Sequence, residues 1–452
     1  MSRYAVPLAA LVMVAALAGC AASPPSDGPS DSTTETSPPL AETALGSLAL
    51  PEVLVSDRMG GAEPNLAVAA DGTLYVSNPG ELWRSDDDGA SWNEVGAGLL
   101  DGGGDGDIAL DAAGNVYWLG LFGSSGSIPF QVSHDRGATW SKAVDVSDGT
   151  GSDREWIAAA SDGRLYTTWR GETGLEFRFS PDGGATWADK VTAAPDGNQG
   201  PVLHHGNRTY LAAADFGSPT GGDALLHVYT SDDDGLTWTA HVAADVPQSA
   251  AGETNGYITD FPVLAADSLG TLYLVYATNI GLSDGAEGPV LPGVASLFGI
   301  ALVRSSDGGA TWTEPLIVSN PSKDARMPWV AAGASGRVAI AWYENVNGIP
   351  GESLPDEWNV QMWHSITADQ PVPVGATVRL TSTPNHLGAL CTSGTGCLVS
   401  DRSLLDFFEV AITPDGRPVA TWANSVLGTG LGVAAQGTDI YFGGIADAPP
   451  MR

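Results

Sequence analysis

Residues 133–140 read Ser133-His134-Asp135-Arg136-Gly137-Ala138-Thr139-Trp140, and the same pattern, Ser-x-Asp-x-Gly-x-Thr/Ser-Trp, stands at 85–92, 180–187, 231–238 and 305–312. Each fixed position meets a separate physical need. Glycine supplies a positive φ for a tight hairpin, the aspartate carboxylate accepts hydrogen bonds from turn N–H groups, and tryptophan packs beneath the turn. Five copies of so constrained a pattern form a repeat. Their aspartates, Asp87, Asp135, Asp182, Asp233 and Asp307, follow one another at 48, 47, 51 and 74 residues. Except for the last, these steps fall near the about 40 to 50 residues of a four-stranded repeat unit. The long step has a local cause: 279–299, NIGLSDGAEGPVLPGVASLFG, lies between two strand-like runs and reads as a loop inserted within one unit.

A second periodicity counts the units without using that motif. A short apolar strand, a glycine-containing turn and a second strand rich in Val, Leu, Tyr and Trp recur seven times: at 66–77, 108–119, 156–169, 202–211, 263–276, 329–342 and 410–422. The segment Glu52-Val53-Leu54-Val55-Ser56 has no such pair before it and resembles the outer strands that follow the motif, such as Ala143–Ser147 and Leu316–Ser319. The last unit, ending near Asp439-Ile440-Tyr441-Phe442, lacks such a strand, so the N-terminal segment is expected to complete it and close a ring. With 58 Gly, 30 Pro and 14 Trp in 452 residues, the composition is that of a turn-rich, well-buried β protein.

The five motifs are the Asp boxes shared by sialidases and other BNR-repeat propellers, which the chain resembles over nearly all of 48–448. The resemblance implies an all-β propeller. The strand count makes it seven-bladed, with the N-terminal strand closing the last blade; sialidases have six blades, and a six-bladed ring with irregular extra strands is the alternative. Asp boxes in that family are structural turns on the face away from the active site, so the five box aspartates receive no catalytic role.

In a propeller, the loops leading into the innermost strands open on the face that binds ligand. Here those loops carry Glu63, Asp105 and Asp107, Asp153-Arg154-Glu155, Asp260, Arg326, and Asp401, Arg402 and Asp406. Resemblance to sialidases implies three arginines clamping a substrate carboxylate, a Tyr activated by Glu as nucleophile, and an aspartic acid/base. Arg154, Arg326 and Arg402 fill the first role, Tyr343-Glu344 the second, and Asp105 or Asp107 the third. Tyr343 and Glu344 are adjacent in a strand and point to opposite faces, so their pairing requires a strand end or bulge. The bland reading of each arginine is an ion pair with a neighbouring carboxylate. No cofactor is required; calcium is an optional ligand of clustered acids at the mouth.

The N-terminus, MSRYAVPLAALVMVAALAGC, has one early arginine, a short apolar run and the lipobox-like Leu17-Ala18-Gly19-Cys20. Residues 1–20 are read as a lipoprotein signal peptide with Cys20 acylated, and 21–47, rich in Ser, Pro, Thr, Asp and Glu, as a disordered tether. In an exported protein, Cys391 and Cys397 are then expected to form a disulfide around Thr-Ser-Gly-Thr-Gly. A formal charge of −34, with lysine only at 142, 190 and 323, argues against nucleic acid, which needs a basic footprint. The expected protein is exported, lipid-anchored at the cell surface or envelope, and meets the membrane through that anchor alone. Its partner is expected to be an extracellular glycan or protein. Two functions follow: a sialidase-like exo-glycosidase acting on extracellular glycans, or a non-catalytic glycan- or protein-binding propeller.

Overall fold

Seven antiparallel sheets, each of four consecutive strands or nearly so, account for the seven strand pairs of the sequence. The computed structural model describes residues 45–57, 62–100, 103–122, 125–149, 152–214, 224–246, 261–281, 297–348, 356–390, 402–426 and 438–452. No helix occurs among them. The innermost strands are Asn65–Val68, Gly103–Leu110, Asp153–Ala159, Leu203–His205, Val263–Ala266, Ala325–Ala332 and Val410–Ile412. They contact one another in that order, and the last contacts the first, which makes the sheets blades around a central axis. The protein is a seven-bladed β-propeller, not the six-bladed alternative.

Ring closure follows the expected strand exchange. Val53–Ser56 pairs antiparallel with Asp439–Gly444, Val53 opposite Phe442 and Leu54 opposite Tyr441, so blade seven takes its outer strand from the other end of the chain. The exchanged strand covers the edge that Asp439–Gly444 would otherwise present to another chain. The folded segment starts slightly before the expected end of the tether: the Gly46 carbonyl accepts a 2.8 Å hydrogen bond from His364 Nε2 in blade six.

Second strands lie between neighbouring blades and are buried on both faces, as in Leu74–Asn78, Val338–Asn345 and Pro418–Asn424. That explains their near-continuous apolar runs in place of strict alternation. Outer strands face water on one side, leaving Val144, Val242 and Leu316 exposed. In blade five the second and third strands, Leu272–Gly281 and Leu297–Ser305, pair as far as Gly281 with Leu297. The hairpin thus absorbs both ends of the expected 279–299 loop, because the insertion begins with residues that can extend the ladder.

All five Asp boxes make one hydrogen-bond pattern. In the first, Asp87 Oδ1 accepts from Ser91 N at 2.9 Å and Oδ2 from Ser91 Oγ at 2.6 Å, while Ser85 Oγ donates to Asp87 and accepts from Gly89 N. The residue between Asp and Gly, namely Asp88, Arg136, Gly183, Asp234 or Gly308, has a left-handed φ in every copy. It also reaches the preceding blade. Arg136 pairs with Asp86 at 2.6 Å, Asp234 with Arg164 at 3.3 Å, and Asp88 with Arg417 of blade seven at 3.3 Å.

Candidate functional site

A repeated bulge shapes one end of the channel. The inner strands of blades two, three and six lose register between Gly103 and Gly106, Asp153 and Trp156, and Arg326 and Trp329. Such a bulge re-aims side chains and increases local twist. The bulged residues Arg154 and Met327 have φ of 58° and 53°, and Glu63 and Leu405 before the inner strands of blades one and seven have 55° and 54°. Asp105, Asp107, Arg154 and Arg326 therefore stand on strand ends and not in the loops expected from the sequence. Glycine-rich or charged sequence can still extend a ladder when the bulge absorbs its extra residue.

Side chains from blades one, two, three and seven converge there. Asp406 Oδ2 lies 3.3 Å from Arg402 Nη2 and 3.8 Å from Arg154 Nη2. Asp406 N donates to Glu63 Oε1 at 3.1 Å, and Glu63 and Asp105 are joined by a side-chain hydrogen bond. Two carboxyl groups so linked and removed from water favour sharing a proton. Burial, then Asp105 and Asp406, holds the Glu63 carboxyl well above the usual carboxylate range. Burial, with Asp153 next, pushes Asp105 up to about 6.

Deeper in the channel, carboxylates bind neighbouring blades together. Asp107 of blade two accepts from Ile157 N of blade three at 2.8 Å and from Ile108 N at 2.7 Å; burial raises it to about 7. Glu409 before blade seven accepts from Leu66 N of blade one at 2.7 Å. Asn65 of blade one donates to the Gly106 carbonyl of blade two at 2.7 Å. Glu155 is buried with neither carboxyl oxygen hydrogen-bonded, and burial drives its pKa strongly upward. Trp156, Phe261, Trp329 and Phe407 pack against one another beside these acids, with ring centroids 5.0 to 5.8 Å apart.

The remaining sequence candidates lie apart from this group. Arg326 Nε donates to Asp324 Oδ2 at 2.8 Å and its guanidinium lies 3.6 Å from the centre of the Phe298 ring in blade five. Two of the three arginines are thus brought together, and the third is engaged elsewhere. Tyr343 is fully buried between blades six and seven; its hydroxyl accepts from Ala423 N at 3.3 Å and its ring packs on Phe408 at 4.6 Å. Glu344 points to the other face, where Lys323 Nζ is 3.6 Å away and Trp342 Nε1 3.4 Å. Strand alternation separates the Tyr–Glu pair, since no bulge falls between them.

Cys20, Cys391, Cys397, Asp260 and Asp401 lie outside the described residues. Among those described, no three carboxylate, imidazole or thiol groups are arranged to hold a metal ion. Among the described acids, Glu63 and Asp105 at the mouth hydrogen-bond to each other, and deeper in the channel both Asp107 oxygens are spent on backbone N–H groups, so these three do not fit a calcium site. Sequence reading missed Asn198 and Gln199, whose side chains contact Arg154, and also Phe261, which lies beneath it. The only signal was position, just ahead of the inner strands of blades four and five.

Residues 131–142 match the BNR/Asp-box repeat family. Over 182 residues the chain is 33% identical to a xyloglucanase of Paenibacillus sp., a match that covers 35% of this chain and 16% of that enzyme's length. Among solved structures, an ulvan lyase, a polysaccharide lyase, superposes with a TM-score of 0.48 at 13% identity, over 88% of this chain and 95% of that one. The intramolecular trans-sialidase of Ruminococcus gnavus gives 0.41 at 14% identity, over 88% and 98% of the two chains. Five Asp boxes with one shared geometry, set in the first five of seven blades, make the chain a β-propeller that carries BNR/Asp-box repeats.

Proposed function

We propose that the protein is an exported, lipid-anchored propeller that processes extracellular glycans at the channel mouth formed by Glu63, Asp105, Arg154, Arg402 and Asp406. The observation that carries this reading is the meeting of Arg154 and Arg402 at Asp406, beside a hydrogen-bonded carboxyl pair. A carboxyl that keeps its proton to about pH 6 is suited to protonating a departing glycosidic oxygen. The two guanidinium groups are suited to an anionic substituent on the sugar. The chemistry proposed here runs through Asp105 and Glu63. It does not use Tyr343, whose hydroxyl is sealed in the core. Partial identity to a xyloglucanase supports a glycan as the substrate class. A second reading, glycan binding without turnover, is favoured by one observation: the sialidase-type Tyr–Glu pair is not assembled.

The test is a panel of fluorogenic sialosides and other glycosides, with a glycan array that includes xyloglucan fragments, run on wild type, Asp105→Asn, Arg402→Ala and Tyr343→Phe. Turnover is expected to fall by about 100-fold or more in Asp105→Asn, as for loss of a general acid, and to survive in Tyr343→Phe. Array binding without turnover selects the second reading. Loss of turnover in a folded Tyr343→Phe protein would restore the tyrosine nucleophile and overturn the assignment to Asp105.

A further inference from the structure

Arg154 is held more elaborately than an ion pair requires. It is a non-glycine residue at φ 58° inside a bulge, a conformation that persists only where its surroundings impose it. Those surroundings come from other blades. Gln199, in the approach to blade four, is fully buried and donates through Nε2 to the Arg154 carbonyl at 2.8 Å. Asn198, equally buried, accepts through Oδ1 from Arg154 Nη1. Phe261, ahead of the inner strand of blade five, places its ring centre 4.9 Å from the guanidinium carbon. The backbone is thereby pinned at one end of the residue and the guanidinium at the other.

The arrangement has a cost. Gln199 Oε1 is buried without a hydrogen-bond partner. An unsatisfied buried acceptor is rare and calls for an explanation, and an apolar side chain here would remove the penalty. The short strand Asn198–Gln199 is also irregular. It pairs with Ala213 and Ala214 next to Leu203–His205, which pairs with the other end of the same partner strand. Among the described residues, blade four alone has its inner edge split in this way.

We propose that Asn198 and Gln199 are positioning residues for Arg154: Gln199 holds its backbone in the left-handed conformation, and Asn198 with Phe261 fixes the guanidinium beside Arg402 and Asp406. This rests on the reading of the channel mouth as the glycan site. Blade four thus contributes to a site whose charged groups all come from blades one, two, three and seven. Arg154 arrives at the site already oriented, so that binding an anionic sugar does not have to order its side chain.

The experiment is calorimetric titration of the full protein with sodium glucuronate, and with glucose as the uncharged control, for wild type and for Asn198→Ala, Asn198→Ser, Gln199→Ala, Gln199→Met, Arg154→Ala and Arg402→Ala. Wild type is expected to prefer glucuronate. Asn198→Ala and Gln199→Ala should weaken it about tenfold, a loss of the size expected for one charge-assisted hydrogen bond, with the unfolding midpoint retained. Asn198→Ser, which keeps a neutral acceptor while losing side-chain volume, should recover part of the affinity, a result that loss of packing alone does not produce. If Gln199→Ala does not fold, Gln199→Met keeps most of the volume and removes the donor. Wild-type affinity in the Asn198→Ala and Gln199→Met proteins, with binding lost in Arg154→Ala and Arg402→Ala, would overturn the positioning role and leave the site reading intact. No preference for glucuronate in wild type, or no effect of either arginine variant, would overturn the site reading itself.

Discussion

Asp105 and Asp107 show how one residue type acquires two roles within three positions of a strand. Both are raised chiefly by burial, Asp105 to about 6 and Asp107 to about 7, but Asp107 spends its oxygens on two N–H groups while Asp105 shares a hydrogen bond with Glu63. A carboxyl whose folded pKa lies above its unfolded value binds its proton more tightly when folded. Its contribution to stability is complete below about pH 4 and is lost as pH rises through the folded pKa. The urea midpoint, followed by tryptophan fluorescence, is therefore expected to be higher at pH 5 than at pH 8. Asp105→Asn should flatten the part of that fall below about pH 6 and leave the part belonging to Asp107. The box aspartates do not blur this window, because Asp135 and Asp307 are held down to about 2 by their Thr partners and act only at lower pH. A stability profile for Asp105→Asn that overlays wild type would show that Asp105 is already ionised at pH 5.

At the scale of the element, the Asp box is a latch between blades as much as a turn within one. In three of the five boxes the tryptophan and the glycine that ends the turn close over a third-strand phenylalanine of the blade before. Trp187 and Gly184 meet Phe130 of blade two, Trp238 and Gly235 meet Phe177 of blade three, and Trp92 and Gly89 meet Phe442 of blade seven. A Cβ on Gly184 would stand 2.1 Å from Phe130 Cε1, at a φ of 88°. Gly184→Ala should thus cost about 2 to 4 kcal/mol, strain and overpacking together. Gly206→Ala, at φ 67° in a turn with nothing near its Cβ, should cost only about 1 kcal/mol from strain. Equal losses for the two, read from urea denaturation, would deny the latch its packing role. The box chemistry was legible in the sequence because Ser, Asp, Gly and Thr act within eight residues. The phenylalanines that receive it were not, since they carry no motif of their own.

At the scale of the whole molecule, the N-terminal strand pairs the start of the chain with its last blade, and a bridge between Ala49 and Ile445 continues that pairing. A chain lacking residues up to Ser56 would leave Asp439–Gly444 as a bare edge and expose apolar surface. Its urea unfolding is expected to split into two transitions, with the amides of Asp439–Gly444 losing hydrogen-exchange protection first. A single transition at the wild-type midpoint would show that the ring closes without that strand. The sequence alone determined the repeating strand pairs and their closure, and favoured seven blades over six, because turn chemistry and apolar runs are local and the strand pairs repeat seven times. It also supplied Arg154, Arg402, Asp105 and Asp406 as candidates or channel-mouth acids. Only the tertiary structure decided which of the charged groups meet. Arg326 and Arg154 look equivalent ahead of the tryptophans that open their strands, yet by register Arg326 stands where Asp153 does, and Met327 holds the left-handed place of Arg154. One residue of offset in a strand turns a side chain to the other face, so Arg326 is carried to Asp324 and Phe298 while Arg154 is carried to the channel mouth.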